Sequence, residues 1–163
     1  MTDLAQGMRD GMRRVAQGVT VVSLVQQDGE RGAMTASSVT SVSADPASML
    51  VCVHRDSSLH TALSESQPFC INVLTTGMEE IANLCAGQAT GEGRFAIGDW
   101  RADPKTGLPY LHDALANFYC APDAVLSYGT HLICVGKLSG VRLPDSDASP
   151  LLYLDGHYRS FGT

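Results

Sequence analysis

The apolar positions of this chain fall mostly into short runs divided by polar turns, and helical spacing is rare. Leu4, Met8, Met12 and Val15 recur at helical intervals, which predicts an amphipathic helix over 3–16 that Gly18 ends. The β-branched run from Val19 to Val25 predicts a strand buried on both faces. A turn follows at Gln27-Asp28-Gly29-Glu30. Residues 33–43 are small, β-branched and rich in hydroxyls, hence a strand or a strand with a bend, broken by Asp45-Pro46. Met49 to Val53 reads as another buried strand, and His54 to Ser58 as a polar turn. Ser57 or Ser58 then caps a short helix to about Ser64. Phe69 to Leu74 is a strand. Thr76-x-x-Glu79 fits a capping box before Met78, Ile81, Ala82 and Cys85. Residues 87–108 read as a long loop holding a short turn or helix, anchored by Phe95 and Trp100. Leu115 to Val125, His131 to Leu143 and Leu151 to Phe161 are three further strand regions, with a turn-rich excursion between Pro144 and Pro150.

Strands outnumber helices and do not alternate with them regularly. The expected fold is therefore mainly β with a few helices, a small antiparallel barrel rather than a doubly wound parallel sheet. No repeat, low-complexity tract or linker divides the chain, so 1–163 is read as one domain.

Composition fits a globular chain: 44% hydrophobic and 17% charged residues, with mean hydropathy +0.02. It excludes a disordered chain, a collagen and a coiled coil. No apolar run reaches the ~18–20 residues of a membrane span. The start lacks the basic and apolar segments of a signal peptide, so a cytoplasmic protein is expected. Eleven basic against seventeen acidic residues leave no basic footprint for nucleic acid. Only 6% of residues are aromatic, few for walls that stack flat ligands. The five cysteines are odd in number and widely spaced, which argues against a disulfide framework. Cys52, Cys70 and Cys134 sit inside apolar runs as small hydrophobes. Cys52-x-His54 and His131-x-x-Cys134 supply too few ligands for zinc, and no metal is expected.

Candidate chemistry is sparse. Gly91-Glu-Gly-Arg-Phe-Ala96 has dinucleotide-fingerprint spacing but follows no strand. No phosphate-binding P-loop and no Gly-x-Ser-x-Gly elbow is present. If residues 33–43 are extended, Thr35, Ser37, Val39, Ser41 and Ser43 share one face, and Ala36, Ser38, Thr40 and Val42 the other. Such small hydroxyls suit either a flat polar ligand gripped by its edge or a plain solvent-facing strand. The segment Met49 to Ser58 brings a polar turn to a helix N-terminus. With Arg55, Ser57 and Ser58 it suits either a phosphate or an ordinary cap. His131 precedes the apolar run Leu-Ile-Cys-Val, as either a ligand's electrostatic partner or a structural histidine. No histidine pairs with a nucleophile in a recognisable order.

The ordered succession of segments is more specific than any one of them. It runs Met8-Arg-Asp-Gly-Met12, Gly18-Val-Thr-Val-Val22, Met34-Thr-Ala-Ser-Ser-Val-Thr-Ser-Val-Ser43, Asp45-Pro46, Leu50-Val-Cys-Val53 and Phe69-Cys-Ile-Asn-Val-Leu74. Gly93-Arg-Phe95 with Trp100, Gly129-Thr-His-Leu132, Leu151-Leu-Tyr153 and Gly156-His-Tyr-Arg159 complete it. Over nearly its whole length the chain resembles the short-chain flavin reductase family, the reductase components of two-component flavin monooxygenases. The resemblance implies an antiparallel, flavin-binding split β-barrel that forms a homodimer with flavin near the interface. It implies hydride transfer from NADH or NADPH to FMN or FAD, and a separate monooxygenase that uses the reduced flavin. Such a reaction needs no protein nucleophile, because the cofactor carries the chemistry. Thr35, Ala36, Ser37 and Ser38 would line the isoalloxazine or ribityl chain. Val53, Arg55, Ser57 and Ser58 would hold the ribityl and phosphate end. Asn72 and Val73 would sit beside the flavin, and Arg94 and Phe95 near the cofactor or nicotinamide. His131, as the catalytic candidate, and Tyr158 would face the nicotinamide. His54 departs from relatives, which often have Asn or Asp there. Two other readings stay open: a relative that keeps its FMN and reduces another acceptor such as a corrinoid, and a flavin- or haem-binding split-barrel module without turnover.

Overall fold

The computed structural model describes residues 3–161, so the outermost parts of the expected domain, 1–2 and 162–163, lie outside the described residues. In chain order the elements are α1 (Asp3–Met12), β1 (Gln17–Gly18), β2 (Thr20–Val25), β3 (Arg31–Ala36), β4 (Val39–Ala44), β5 (Ala47–His54), α2 (His60–Ser64), β6 (Phe69–Val73) and α3 (Glu79–Asn83). A π-helical turn (Leu84–Gln88) and a 3-10 turn (Gly91–Phe95) lead into β7 (Trp100–Ala102), β8 (Pro109–Leu111), β9 (Ala116–Tyr128), β10 (His131–Arg142), β11 (Leu152–Leu154) and β12 (His157–Arg159).

Seven strands make one antiparallel sheet in the order β3-β2-β6-β9-β10-β5-β4. Its two end strands, β3 and β4, are consecutive in the chain and joined only by Ser37 and Ser38. Such a link spans roughly 10 Å, so the sheet must roll until its ends nearly meet. No ladder pairs β3 with β4 among the described residues. Ser38, beside the gap, extends the β4–β5 pairing: its Oγ donates to the Cys52 carbonyl (2.8 Å), and its own carbonyl accepts from the Cys52 amide (3.3 Å). The result is the expected antiparallel barrel, split along one seam.

Period-2 alternation fills the barrel. Val22, Leu24, Val51, Val53, Phe69, Ile71 and Leu132 point inward, and Leu59, Ala62 and Leu63 around α2 complete the core. Each fully buried side chain of this kind is worth about 1.5–3 kcal/mol. The opposite faces of β2 and β3 send Val21 and Ala33 into a second cluster with Leu74, Ile81, Ala82, Cys85 and Phe95. That double burial explains the uninterrupted apolar run of β2. At the β9–β10 bulge a Cβ on Gly136 would lie 2.8 Å from the Cys120 Cβ and 3.0 Å from the Phe69 ring, so only glycine lets the strands curl here.

Several local expectations fail for identifiable reasons. The N-terminal helix stops at Met12, not residue 16, and buries none of its residues. Gly18 belongs to β1 and faces Leu152 of β11. Thr76 forms no capping box, because its hydroxyl donates to the Ser149 carbonyl (3.3 Å) and α3 begins after Met78 without a side-chain cap. Leu59 rather than a serine precedes α2, although the Ser57 Oγ accepts the Leu59 amide (3.3 Å). Residues 33–43 bend at Ser37-Ser38, so no single face runs their length. The loop over 87–108 contains the 3-10 turn and β7, which pairs with β8. No helix among the described residues is long and apolar enough to cross a membrane.

Candidate functional site

The seam opens into a cavity of about 540 Å³, within the ~300–1,000 Å³ of small-molecule sites. Met34 to Ser38 form one wall, and Cys52 and His54 of β5 with His131 of β10 form another. Asp56, Ser57 and Ser58 close one side, and Cys85, Ala86, Gly87 and Arg94 another. Strand alternation decides who faces it: Val51 and Val53 enter the core, so Cys52 and His54 turn to the cavity.

The hydroxyls here are anchored groups. Thr35 Oγ1 donates to the Ala82 carbonyl (2.6 Å), tying β3 to α3. Ser57 Oγ lies 3.0 Å from Met34 Sδ. Ser58 Oγ accepts from Arg94 Nη1 (2.5 Å). Arg94 Nε donates to the Ala89 carbonyl (2.9 Å), and Nη1 also reaches the Ala33 carbonyl. One guanidinium thus fastens the 3-10 turn to β3 and to the turn before α2, and puts a cation in the wall. Gly87, at φ +121°, lets the π-helical turn lie against the cavity without a side chain.

His54 and His131 are opposite residues of the β5–β10 ladder. His54 Nδ1 accepts the Asp56 amide (3.2 Å), with the Asp56 carboxylate 3.6 Å away. In its neutral form that bond leaves the proton on Nε2. His131 Nδ1 lies 3.0 Å from Thr130 Oγ1. Burial pushes the Cys85 thiol up to about 11, so this wall carries a thiol rather than a thiolate at neutral pH.

A second cavity of about 380 Å³ adjoins the first, sharing Thr35, Ser37 and Ala86. Tyr158 lines it, with its hydroxyl donating to Asn83 Oδ1 (3.0 Å).

Of the residues singled out in the sequence, Thr35, Ala36, Ser37, Ser38, Ser57, Ser58, Arg94 and His131 meet around the first cavity, and Tyr158 borders the second. Val53, Arg55, Asn72, Val73 and Phe95 line neither. Val53 is wholly in the core. Arg55 is exposed, its amide donating to the Thr130 carbonyl (2.9 Å). Asn72 is fully buried as the hub of a polar network, and Val73 pairs with Thr20 and Ala116. Phe95 packs edge-on to Trp100 (4.9 Å) beneath the Arg31 guanidinium (4.2 Å). Met34, Cys52, Asp56, Cys85, Ala86 and Gly87 join the cavity without having been singled out as ligand contacts, and so does His54. Alternation about Val51 and Val53 could have found Cys52 and His54; nothing local marks Ala86.

Among the described residues Asp99, His112 and Asp113 have the spacing of metal ligands. Cations already occupy two of them: Arg101 pairs with Asp99 (2.6 Å), and Arg142 donates to His112 Nδ1 (3.1 Å).

The split barrel is the fold of solved flavin reductases. Residues 12–162 match the flavin reductase like domain, and the chain belongs to that family. It is 39% identical over 156 residues to FMN reductase (NADH) RutF of Enterobacter cloacae, covering 95% of this chain and 93% of the relative. It is 37% identical over 148 residues to the NADH:riboflavin 5'-phosphate oxidoreductase of Streptomyces pristinaespiralis, covering 91% and 83%. Its structure is similar to the NADH:FAD oxidoreductase SgcE6 of Streptomyces globisporus C-1027, solved with NAD and FAD fragments, at TM-score 0.88 and 30% identity over 98% and 93% of the chains. It is also similar to BorF, the flavin reductase component of a bacterial two-component tryptophan halogenase, at TM-score 0.86 and 34% identity over 96% and 97%.

Proposed function

We propose that this chain works as one domain, an NAD(P)H:flavin oxidoreductase that reduces FMN or FAD and releases it to a separate monooxygenase. The seam cavity carries the reading. It offers a flat polar ligand the small residues Ala36, Ser37 and Ser38 along one edge, and Ser57, Ser58 and the Arg94 cation at another side. That donor set fits a flavin with its phosphate, and it makes Arg94 rather than the exposed Arg55 the phosphate's counter-charge. Bound flavin supplies the acceptor for a hydride from reduced nicotinamide. The protein's part is to bind and orient: Thr35 and Ser37 border both cavities, His131 borders the first and Tyr158 the second. Among the described residues lining the first cavity, the only rings are the imidazoles of His54 and His131.

A second copy of the chain completes the site in this reading. Leu126 and Tyr128 of β9 are 60% and 75% exposed, and they lie in register with Ile133 and His131 of β10, then with Cys52 and His54 of β5. An apolar sheet face thus runs into the cavity, as expected of a homodimer whose interface borders its ligand.

The test titrates FMN, FAD and riboflavin into the protein with NADH or NADPH and follows nucleotide oxidation. Saturable, flavin-dependent turnover is expected. Tight flavin binding with no nucleotide oxidation would overturn the assignment, and flavin that stays bound after reduction would favour a reductase with a fixed cofactor.

A further inference from the structure

A third cavity, of about 330 Å³, extends the groove beyond the second. Ser37 borders all three, and Tyr153 and Gly156 border the second and third. Met12, Val15 and Tyr153 give this space apolar walls, and Arg9 and Arg13 bring two cations. The Arg13 amide donates to the Arg9 carbonyl (3.0 Å), continuing the last turn of α1, so the two side chains lie on one side of it. The position of that turn is fixed, because the Asp155 amide donates to the Arg13 carbonyl (3.0 Å). Among the described residues Asp155 is the one carboxylate lining the space, and Asp10 on α1 is held by Gln6 (3.0 Å).

Apolar walls beside paired guanidiniums, in a chain of net charge −6, suit a flat base joined to a phosphate. We propose that the third cavity binds the adenosine phosphate half of a dinucleotide, with Arg9 and Arg13 on phosphate oxygens and the base against Met12, Val15 and Tyr153. The proposal rests on the flavin reductase reading, which provides two sources of that moiety: the pyridine nucleotide, whose nicotinamide then lies toward Tyr158, and FAD.

The double variant Arg9→Glu/Arg13→Glu separates the sources, measured against the unaltered chain. With FMN as acceptor, KM for NADH is expected to rise about tenfold with kcat within about twofold, while Kd for FMN by fluorescence quenching stays constant. That result assigns the site to the pyridine nucleotide. If Kd for FAD instead rises about tenfold while KM for NADH and Kd for FMN hold, the site takes the adenosine of FAD. Arg9→Lys/Arg13→Lys keeps both charges and is expected to recover most of the affinity, which a merely structural effect of the arginines would not predict. If neither NADH nor FAD weakens, or FMN weakens equally, the proposal is overturned. Chain that oxidises no NADH with any flavin fails the reductase reading instead, and fluorescence titrations with FAD, FMN and NADH then still decide this site.

Discussion

His54 and His131 face each other across the β5–β10 ladder, their ring centroids 5.0 Å apart and their planes at 87°. Each ring is also held on its own strand, His54 by the Asp56 amide and His131 beside Thr130. His54 therefore buttresses the imidazole proposed to meet the nicotinamide. His131→Ala is expected to lower kcat/KM for NADH by about tenfold, the scale of losing one oriented polar contact. His54→Asn keeps an acceptor for the Asp56 amide and should retain more activity than His54→Ala. Steady-state kinetics at saturating flavin decide this; wild-type rates for His131→Ala would remove that residue from the reaction.

The phosphate assignment gives a sharper contrast. Ser57 and Ser58 stand together on the cavity wall, and Ser58 is already bonded to Arg94. Replacing both serines with Ala should weaken FMN roughly tenfold and riboflavin far less, because riboflavin carries no phosphate. Equal losses, measured by fluorescence titration, would contradict the assignment. Arg94→Met should cost FMN affinity and also lower Tm, since Arg94 ties the 3-10 turn to β3 and to the turn before α2.

Legibility in the sequence followed periodicity closely. The apolar run Val19 to Val25 announced a doubly buried strand, and β2 is one. The hydroxyl-rich stretch over 33–43 suited either a ligand edge or a solvent-facing strand, and its residues Thr35 to Ser38 line the seam cavity. The ladders between sequence-distant strands, β2 with β6, β6 with β9 and β5 with β10, were not legible, because they are set by the rolled sheet rather than by neighbours in the chain. The resemblance alone set Asn72 beside the flavin; a polar residue within the apolar run Phe69 to Leu74 can equally serve a buried network, and Asn72 does so. Val53, which the resemblance set at the ribityl and phosphate end, turns its side chain into the core, while its neighbours Cys52 and His54 face the cavity.

Asn72 supports the fold at a distance from the cavity. Its Nδ2 donates to the Val21 carbonyl and Ser23 Oγ, both at 2.9 Å. Its Oδ1 accepts from the Leu111 amide (2.8 Å) and Asn117 Nδ2 (2.9 Å). Asn72→Leu would orphan several buried groups at once, at a cost of about 3 kcal/mol. Thermal melts should show Tm falling by roughly 5–10 °C, with FMN affinity at saturation of folded protein unchanged. A lost FMN affinity in fully folded protein would return Asn72 to the ligand site.

The cysteines supply a pH test with a definite sign. Burial raises Cys85 and Cys134 to about 11 and Cys120 to about 12, and it pushes Cys70 up as well. In the unfolded chain these thiols ionise near ~8.5. Above that pH the unfolded state releases protons that the folded state keeps, so stability falls as pH rises. The thiol contribution is fully present below about pH 8 and is lost between about 8.5 and 12. Tyr119, also raised by burial, adds to the decline near the top of that window. Tm measured across pH 7–11 at constant ionic strength should be flat at first and then drop, with a shallower drop in Cys134→Ala. Cys52 differs: it is half-buried and lines the cavity. A thiol reagent at neutral pH should therefore modify Cys52 first, and saturating FMN should slow that reaction while leaving the other four unreactive until denaturant is added. Modification of Cys52 at the same rate with and without FMN would place the flavin outside the seam.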